Sequence, residues 1–290
     1  MRLIRTASGA LLTLALAAPG ATDDRSWLEP AEPMRLVGPI HFVGTQGLAV
    51  YLITTSAGHL LLGGGMPPSG PAIEASIRRL GYRPEDVKLL LSNHAHVDHV
   101  GTLAYLKKAT GAAVLAMDRD VDLLASGGDT DYLFARNPRF HFPPVATDRV
   151  LHDGDVVRLG GVELTARLTP GHTRGSTTFV TTVEDAGRSY VVVFPDGTGV
   201  NPGTRLVRRP SYAGILEDYR RTIRLLESLT PDVFLSYHTD DFGLPAKRAR
   251  AATEGARAFV DPEGYRLKIA AAKANIERLA AQEESAPPKH

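Results

Sequence analysis

The chain has 290 residues, 43% of them hydrophobic and 22% charged, a composition that excludes intrinsic disorder and suits a globular enzyme of one large domain or two small ones. Its 33 basic and 32 acidic residues leave a formal charge of +1 without long single-sign runs, so nucleic acid gains no electrostatic hold. Cysteine is absent, which excludes disulfides, a thiol-linked lipid anchor and thiolate metal sites.

Residues 1–21 read as a secretory signal. Arg2 and Arg5 form a basic start, residues 10–18 an apolar core, and Ala15-Leu16-Ala17 a small-residue cleavage site. The apolar run falls well short of the roughly 20 residues that span a bilayer. The expectation is an exported, periplasmic or secreted protein, free of the membrane once the signal is removed, with residues 22–290 forming one domain.

After a Pro-punctuated segment over 27–34, strands are expected at 40–43, 48–54 and 59–62, with a turn at Ser56-Ala57-Gly58. A helix is expected over 71–80, with Ile73, Ile77 and Leu80 inward and Gly81 ending it. Residues 87–91 are a short buried strand. The next helix runs from 99 to 109, with Val100, Leu103 and Leu106 as its stripe and Gly111 as its cap. A strand at 113–116 and a short helix at 118–125 follow. Residues 126–144 mix turn formers and aromatics without periodicity, as binding loops often do. Strands resume at 155–159, 162–168, 177–183 and 190–194. Ser211 is read as the cap of a helix through 229, with Ile215, Tyr219, Ile223 and Leu226 inward. A strand at 233–236 and a last helix opened by Asp261-Pro262-Glu263 complete the chain. The order strands, helices, strands, helices appears twice, so two α/β halves are expected to stack their sheets with helices outside.

Between the strand at 87–91 and its helix lies His94-Ala95-His96-Val97-Asp98-His99, three imidazoles and a carboxylate within six positions. In extended chain His94, His96 and Asp98 point to one side and His99 to the other. A turn after His96 would let two ligand groups face two ions. Imidazole and carboxylate without thiolate make zinc the leading candidate. Two further histidines follow strands: His172 at the tip of the turn Thr169-Pro170-Gly171-His172-Thr173, and His238 after the strand at 233–236. All three sets lie at strand C-terminal ends and could converge on one sheet edge.

His-x-His-x-Asp-His, then Pro170-Gly171-His172-Thr173 and the late His238, resembles the metallo-β-lactamase superfamily, whose fold is an αββα sandwich. Val43-Gly44-Thr45, Val200-Asn201-Pro202-Gly203, Asp218-Tyr219-Arg220-Arg221 and Val260-Asp261-Pro262-Glu263-Gly264-Tyr265 resemble the third subclass, B3. The likeness covers almost the whole mature chain. It implies two zinc ions per chain, the first on His94, His96 and His172, the second on Asp98, His99 and His238. It also implies a small-molecule β-lactam substrate (penicillins, cephalosporins, carbapenems) and antibiotic resistance. The expected reaction is attack on the strained lactam carbonyl by a hydroxide that zinc makes available near neutral pH, oriented by Asp98. Flavo-diiron relatives would require Glu where His96 stands.

Three positions depart from the family pattern. Gly63 stands where Asp is common, in an Asp-Gly-Gly turn. Gly197 and Gly199 stand where many relatives carry serines, leaving Thr198 or the loop around Tyr132 to seat substrate. Arg174 follows His172-Thr173 where Pro is frequent. The alternative reading is a lactone or thioester hydrolase of the same fold. Such relatives usually bridge their metals with a second carboxylate, and Asp196 stands within one residue of that position. A metal-binding protein without turnover is a third reading.

Overall fold

The computed structural model describes residues 25–286, so the signal expected over residues 1–21 lies outside the described residues. Seven strands form the first sheet in sequence order: β1 (Met34–Val37), β2 (Ile40–Phe42), β3 (Tyr51–Thr55), β4 (Gly58–Leu62), β5 (Val87–Leu91), β6 (Ala113–Met117) and β7 (Arg149–Leu151). The first four are an antiparallel meander, and β4 to β7 run parallel. Each parallel step needs a crossover. These are α1 (Gly70–Arg79), then α2 (Val97–Val100) with α3 (Leu103–Thr110), then α4 (Val121–Ser126) with the long loop.

The second sheet has five strands, β8 (Val156–Leu159), β9 (Val162–Leu168), β10 (Thr177–Asp185), β11 (Arg188–Phe194) and β12 (Val233–Phe234), in the order β12-β11-β10-β9-β8. It is antiparallel except for β11 with β12, which are joined through α5 (Ile215–Glu227). Helices α6 (Leu244–Glu254) and α7 (Pro262–Ser285) close the chain.

The period of two along each strand builds the layers. Tyr51, Ile53, Leu60, Leu62, Leu91 and Leu115 face the second sheet, in a core with Leu164, Ala166, Phe179 and Phe194. Their neighbours Leu52, Leu61, Leu90 and Val114 face the opposite way, packed with Ile73 and Ile77 of α1 and Leu103 and Leu106 of α3. Strands buried on both faces read as apolar runs, which is why Leu60-Leu61-Leu62 and Leu89-Leu90-Leu91 show no alternation. On the far side of the second sheet, Tyr219, Ile223 and Leu226 of α5 and Tyr265, Ile269 and Ile276 of α7 pack into the same continuous cluster. The result is the expected αββα sandwich.

Several elements differ from expectation. The helix expected over 99–109 is two helices: α2 starts at Val97, and the axis breaks at Gly101-Thr102. A Cβ at Gly101 would lie 2.4 Å from Pro67, and the Thr102 hydroxyl donates to the Gly64 carbonyl. Helix α5 starts at Ile215 behind Gly214 (φ +86°), not at Ser211, whose hydroxyl instead accepts from the Arg205 amide. Strands β1 and β7 and helix α6 were not expected. Asp261 does cap the last helix, accepting from the Gly264 amide at 2.9 Å, and that helix extends to Ser285. Among the described residues no helix is long and apolar enough to cross a membrane.

Candidate metal centre

Three strand ends deliver the candidate ligands. The segment after β5 is anchored where Ser92 N–H bonds the Leu115 carbonyl and the Asn93 carbonyl accepts from Thr177 N–H at 2.7 Å. His94 is therefore held against the second sheet. His96 then serves as N-cap residue of α2 with extended backbone (φ −108°, ψ 153°); its carbonyl accepts from His99 and Val100. The expected turn after His96 is this helix start. It separates His94 and His96 from Asp98 and His99 as the sequence required.

His172 sits on the turn after β9, closed by Thr169 N–H to Ser176 O (2.8 Å) and Gly171 N–H to Thr173 O (2.9 Å). His238, past β12, is paired with Leu48 through an isolated bridge, and Thr239 N–H bonds the Gly47 carbonyl. The one tryptophan of the chain, Trp27, meets His238 edge-on with ring centroids 5.4 Å apart.

The ligand atoms of His94, His96 and His172 lie within 4.8 Å of one another, and so do those of His94, Asp98 and His99. His238 Nε2 lies 3.4 Å from Asp98 Oδ2, which is 3.0 Å from His99 Nε2. All six predicted ligands thus converge, with His94 common to both groups.

What backs each imidazole identifies the nitrogen left for a metal. His94 Nδ1 donates to Asp196 Oδ2 at 2.7 Å, and its Nε2 is buried with no hydrogen-bond partner. His96 Nε2 donates to Asp131 Oδ2 at 3.2 Å. His172 Nδ1 lies 2.8 Å from the Gly199 carbonyl; a carbonyl only accepts, so Nδ1 carries the hydrogen. The remaining atoms, His94 Nε2, His96 Nδ1 and His172 Nε2, face one another, the last two 3.1 Å apart. Two nitrogens each about 2.0–2.1 Å from one tetrahedral zinc would stand about 3.4 Å apart. An imidazole bound through one nitrogen and donating its other N–H to a carboxylate or carbonyl is the usual build of a metal site. The orphaned His94 Nε2 is the strongest sign that these residues fit one.

The electrostatics agree at His94 and His172; at His96 and His238 burial alone would lower the imidazole, but Asp131 and Asp98 respectively outweigh it and raise it. Burial, then the imidazoles of His99 and His96, hold His94 well below the ordinary histidine value. Burial, then His94 and His96, do the same for His172. Both are neutral at physiological pH, as ligands must be. Burial alone would raise the Asp98 carboxyl, but His99 and His238 outweigh it and hold it well below the usual range.

A further carboxylate joins the two ligand loops. Asp120, buried, accepts from the Ala95 amide (2.9 Å) and the Thr173 hydroxyl (2.7 Å) through Oδ2, and from the Gly175 amide (2.8 Å) through Oδ1. A Cβ at Gly175 would sit 2.6 Å from Asp120, so glycine is required for the clasp to close. Sequence reading missed Asp120 and Asp131. Each stands among other acids of its own segment, Asp118 and Asp122 beside Asp120 and Asp129 beside Asp131, and its partners at the site lie tens of residues away.

The residues proposed to seat substrate are placed as follows. Thr198 is half-buried in the turn after β11. The Tyr132 hydroxyl lies 3.2 Å from the Gly171 carbonyl and 3.0 Å from that of His172, so it supports the His172 turn from behind. Gly197 has a structural reason: its φ is +86°, and a Cβ would fall 1.9 Å from the Thr169 carbonyl. The Gly199 carbonyl is shared by His172 Nδ1 and the Tyr219 hydroxyl. Arg174 is exposed with its guanidinium 4.9 Å from the Tyr212 ring centre.

A family model described as the metallo-beta-lactamase superfamily matches residues 44–238. The solved structure of the FEZ-1 metallo-beta-lactamase from Legionella gormanii is 39% identical. It covers 89% of this chain and 98% of its own, with a TM-score of 0.87. BJP-1, a subclass B3 metallo-beta-lactamase of Bradyrhizobium japonicum, is 37% identical, covering 90% and 98%, with a TM-score of 0.84. Among curated relatives, a probable metallo-hydrolase of Burkholderia pseudomallei is 32% identical over 56% of this chain and 54% of its own length. A hydroxyacylglutathione hydrolase of Chelativorans is 31% identical over 39% and 35%. The chain thus spans about half or less of the length of these two curated relatives, and nearly all of the two solved structures.

Proposed function

The chain belongs to the metallo-β-lactamase superfamily, and from that membership we propose that it is a zinc hydrolase that opens the amide of β-lactams, penicillins, cephalosporins and carbapenems among them. The observation that carries this reading is the position of Asp196. A lactone or thioester hydrolase of this fold would want a second carboxylate shared between its metals. Asp196 instead lies behind His94, bonded to Nδ1, and belongs to neither ligand group found among the described residues. At the second position the carboxylate is Asp98, close to His99 and His238, and this reading needs no second acid there.

Zinc, when bound, supplies Lewis acidity toward a carbonyl and a water acidic enough to act as nucleophile at neutral pH. The chain's own contribution is charge and position. Five imidazoles, which bind metal in their neutral form, and one carboxylate would leave a loaded site with excess positive charge, which favours a substrate bearing a carboxylate. Asp98, kept ionised between His99 and His238, is the acidic group at the centre and orients the attacking water. Asp196, Asp131 and the Gly199 carbonyl fix the three imidazoles so that little reorganisation is needed during reaction.

The curated hydroxyacylglutathione hydrolase favours the second reading, and one comparison separates the two. Purified zinc-loaded protein is offered a cephalosporin and an acyl thioester. A kcat/KM for the cephalosporin at least 100-fold above that for the thioester supports the β-lactamase reading; the reverse order overturns it. We also propose export to the periplasm or medium, supported by the Arg2, Arg5 and 10–18 pattern. N-terminal sequencing of the mature protein checks it, and an intact Met1 would rule it out.

A further inference from the structure

The loop over 126–144 meets the metal centre through consecutive residues. Asp131 uses one oxygen on its own loop: Oδ1 accepts from the Leu133 and Phe134 amides at 2.6 Å each. The other oxygen, Oδ2, takes His96 Nε2 at 3.2 Å. Its side chain is only 2% exposed. Tyr132 grips the second ligand turn through the carbonyls of Gly171 and His172. Phe134 then sets its ring edge-on to His96 at 5.4 Å and stacks on Phe140 at 4.0 Å. One short segment therefore holds His96 by its ring and His172 by its backbone, and from that grip it builds an aromatic pair whose outer member is exposed.

We propose that Asp131 is a positioning residue that couples occupancy of the first metal position to the order of the 131–140 loop. The inference rests on the reading of His96 as a ligand. Asp131 bonds the ring only while His96 carries its proton on Nε2, which leaves the Nδ1 lone pair facing His172 Nε2. A metal on Nδ1 enforces that tautomer and that ring orientation. Without metal nothing fixes the Nδ1 face, and the orientation of the ring rests on its Asp131 bond. When the ring turns away, the carboxylate that also caps the Leu133 and Phe134 amides loses its link to the metal centre. Metal binding thus tightens the loop, and by linkage an ordered loop tightens metal binding by the same factor.

Asp131→Asn separates the two roles. The Asn oxygen still accepts from Leu133 and Phe134, as Asn does in such turns, but its NH2 presents hydrogens to a nitrogen that already carries one. Asp131→Ala loses both bonds. The test is amide hydrogen exchange over 131–140 in the full chain, zinc-free and zinc-loaded, with zinc affinity measured by competition with a chromophoric chelator. No substrate is needed, so the outcome is independent of what the enzyme hydrolyses. In the wild type, zinc slows exchange of the Leu133 and Phe134 amides at least 10-fold. In Asp131→Asn the zinc-free rates stay near wild type, the zinc-dependent slowing disappears, and the first zinc binds about 10- to 100-fold more weakly. In Asp131→Ala both amides exchange fast with and without zinc. Equal zinc-dependent slowing in wild type and Asp131→Asn overturns the coupling while leaving the metal site intact. A wild type that takes up no zinc overturns the ligand reading on which the coupling rests.

Discussion

Asp196 stands behind His94, its Oδ2 2.7 Å from Nδ1, and the same oxygen accepts from the Asn93 side chain at 2.9 Å. A carboxylate in that position orients an imidazole and raises its basicity, and its loss typically weakens metal binding 10- to 100-fold. Asp196→Ala is therefore expected to keep two zinc ions at saturating metal and to raise the dissociation constant of the first by that factor. Complete loss of zinc, measured by elemental analysis after dialysis, would mean that the carboxylate is itself a ligand and would favour the lactone or thioester reading.

Asp120 carries the geometry between the two ligand loops. Replacing it with Ala strands two donors, the Ala95 and Gly175 amides, and leaves the Thr173 hydroxyl only the Ser176 hydroxyl. Each buried unpaired group costs about 1–3 kcal/mol, so a loss of about 2–6 kcal/mol is expected in urea unfolding of the zinc-free protein. A loss below about 1 kcal/mol would show that the clasp does not hold the loops.

Trp27 is a built-in reporter of the second position, 5.4 Å from His238. Zinc titration is expected to change the fluorescence of this single tryptophan during uptake of the second equivalent. His238→Ala should abolish that phase and leave the first equivalent bound. An unchanged signal on full loading would remove His238 from the ligand set.

The base of α7 gives a pH-dependent term. Asp261 caps the helix and pairs with the buried Lys247 ammonium at 2.8 Å. Burial alone would raise the Asp261 carboxyl, but Lys247 and the Gly264 amide outweigh it and hold it below the usual range. A depressed folded value means the contribution is present above the unfolded value of about 3.9 and fades as pH falls through the folded one. Asp261→Asn, which keeps a cap acceptor, should be less stable than wild type at pH 6 to 8. The gap should begin to narrow below about pH 4. A gap that does not narrow as the pH falls from about 4 to about 2 would argue against the ion pair as its source.

The convergence of the candidate ligands was legible because a dense motif on a strand-to-helix loop allows few alternatives. His94 to His99 occupy six positions, and the Gly171-His172 turn and His238 follow strands that their own patterns declare. The elements that escaped lacked such patterns. Strand β7 has only three residues, two of them exposed, so it shows no alternation. Helix α6 is rich in Lys, Arg and Ala and buries only Leu244 and Lys247, so no apolar stripe marks it. Ser211 has the chemistry of a cap, but Gly214 provides the left-handed entry the backbone takes. Asp120 and Asp131 act through partners as far as 55 residues away, and nothing local distinguishes them from other loop acids.

In this reading the His94, His96, His172, Asp98, His99 and His238 constellation holds zinc for β-lactam opening. The most direct measurement is hydrolysis of a penicillin, a cephalosporin and a carbapenem by the purified protein, with zinc and then with a chelator. Turnover of the carbapenem that the chelator abolishes and added zinc restores, and that Asp98→Ala lacks, is the predicted result. No turnover of any of the three by protein carrying two zinc ions would contradict it.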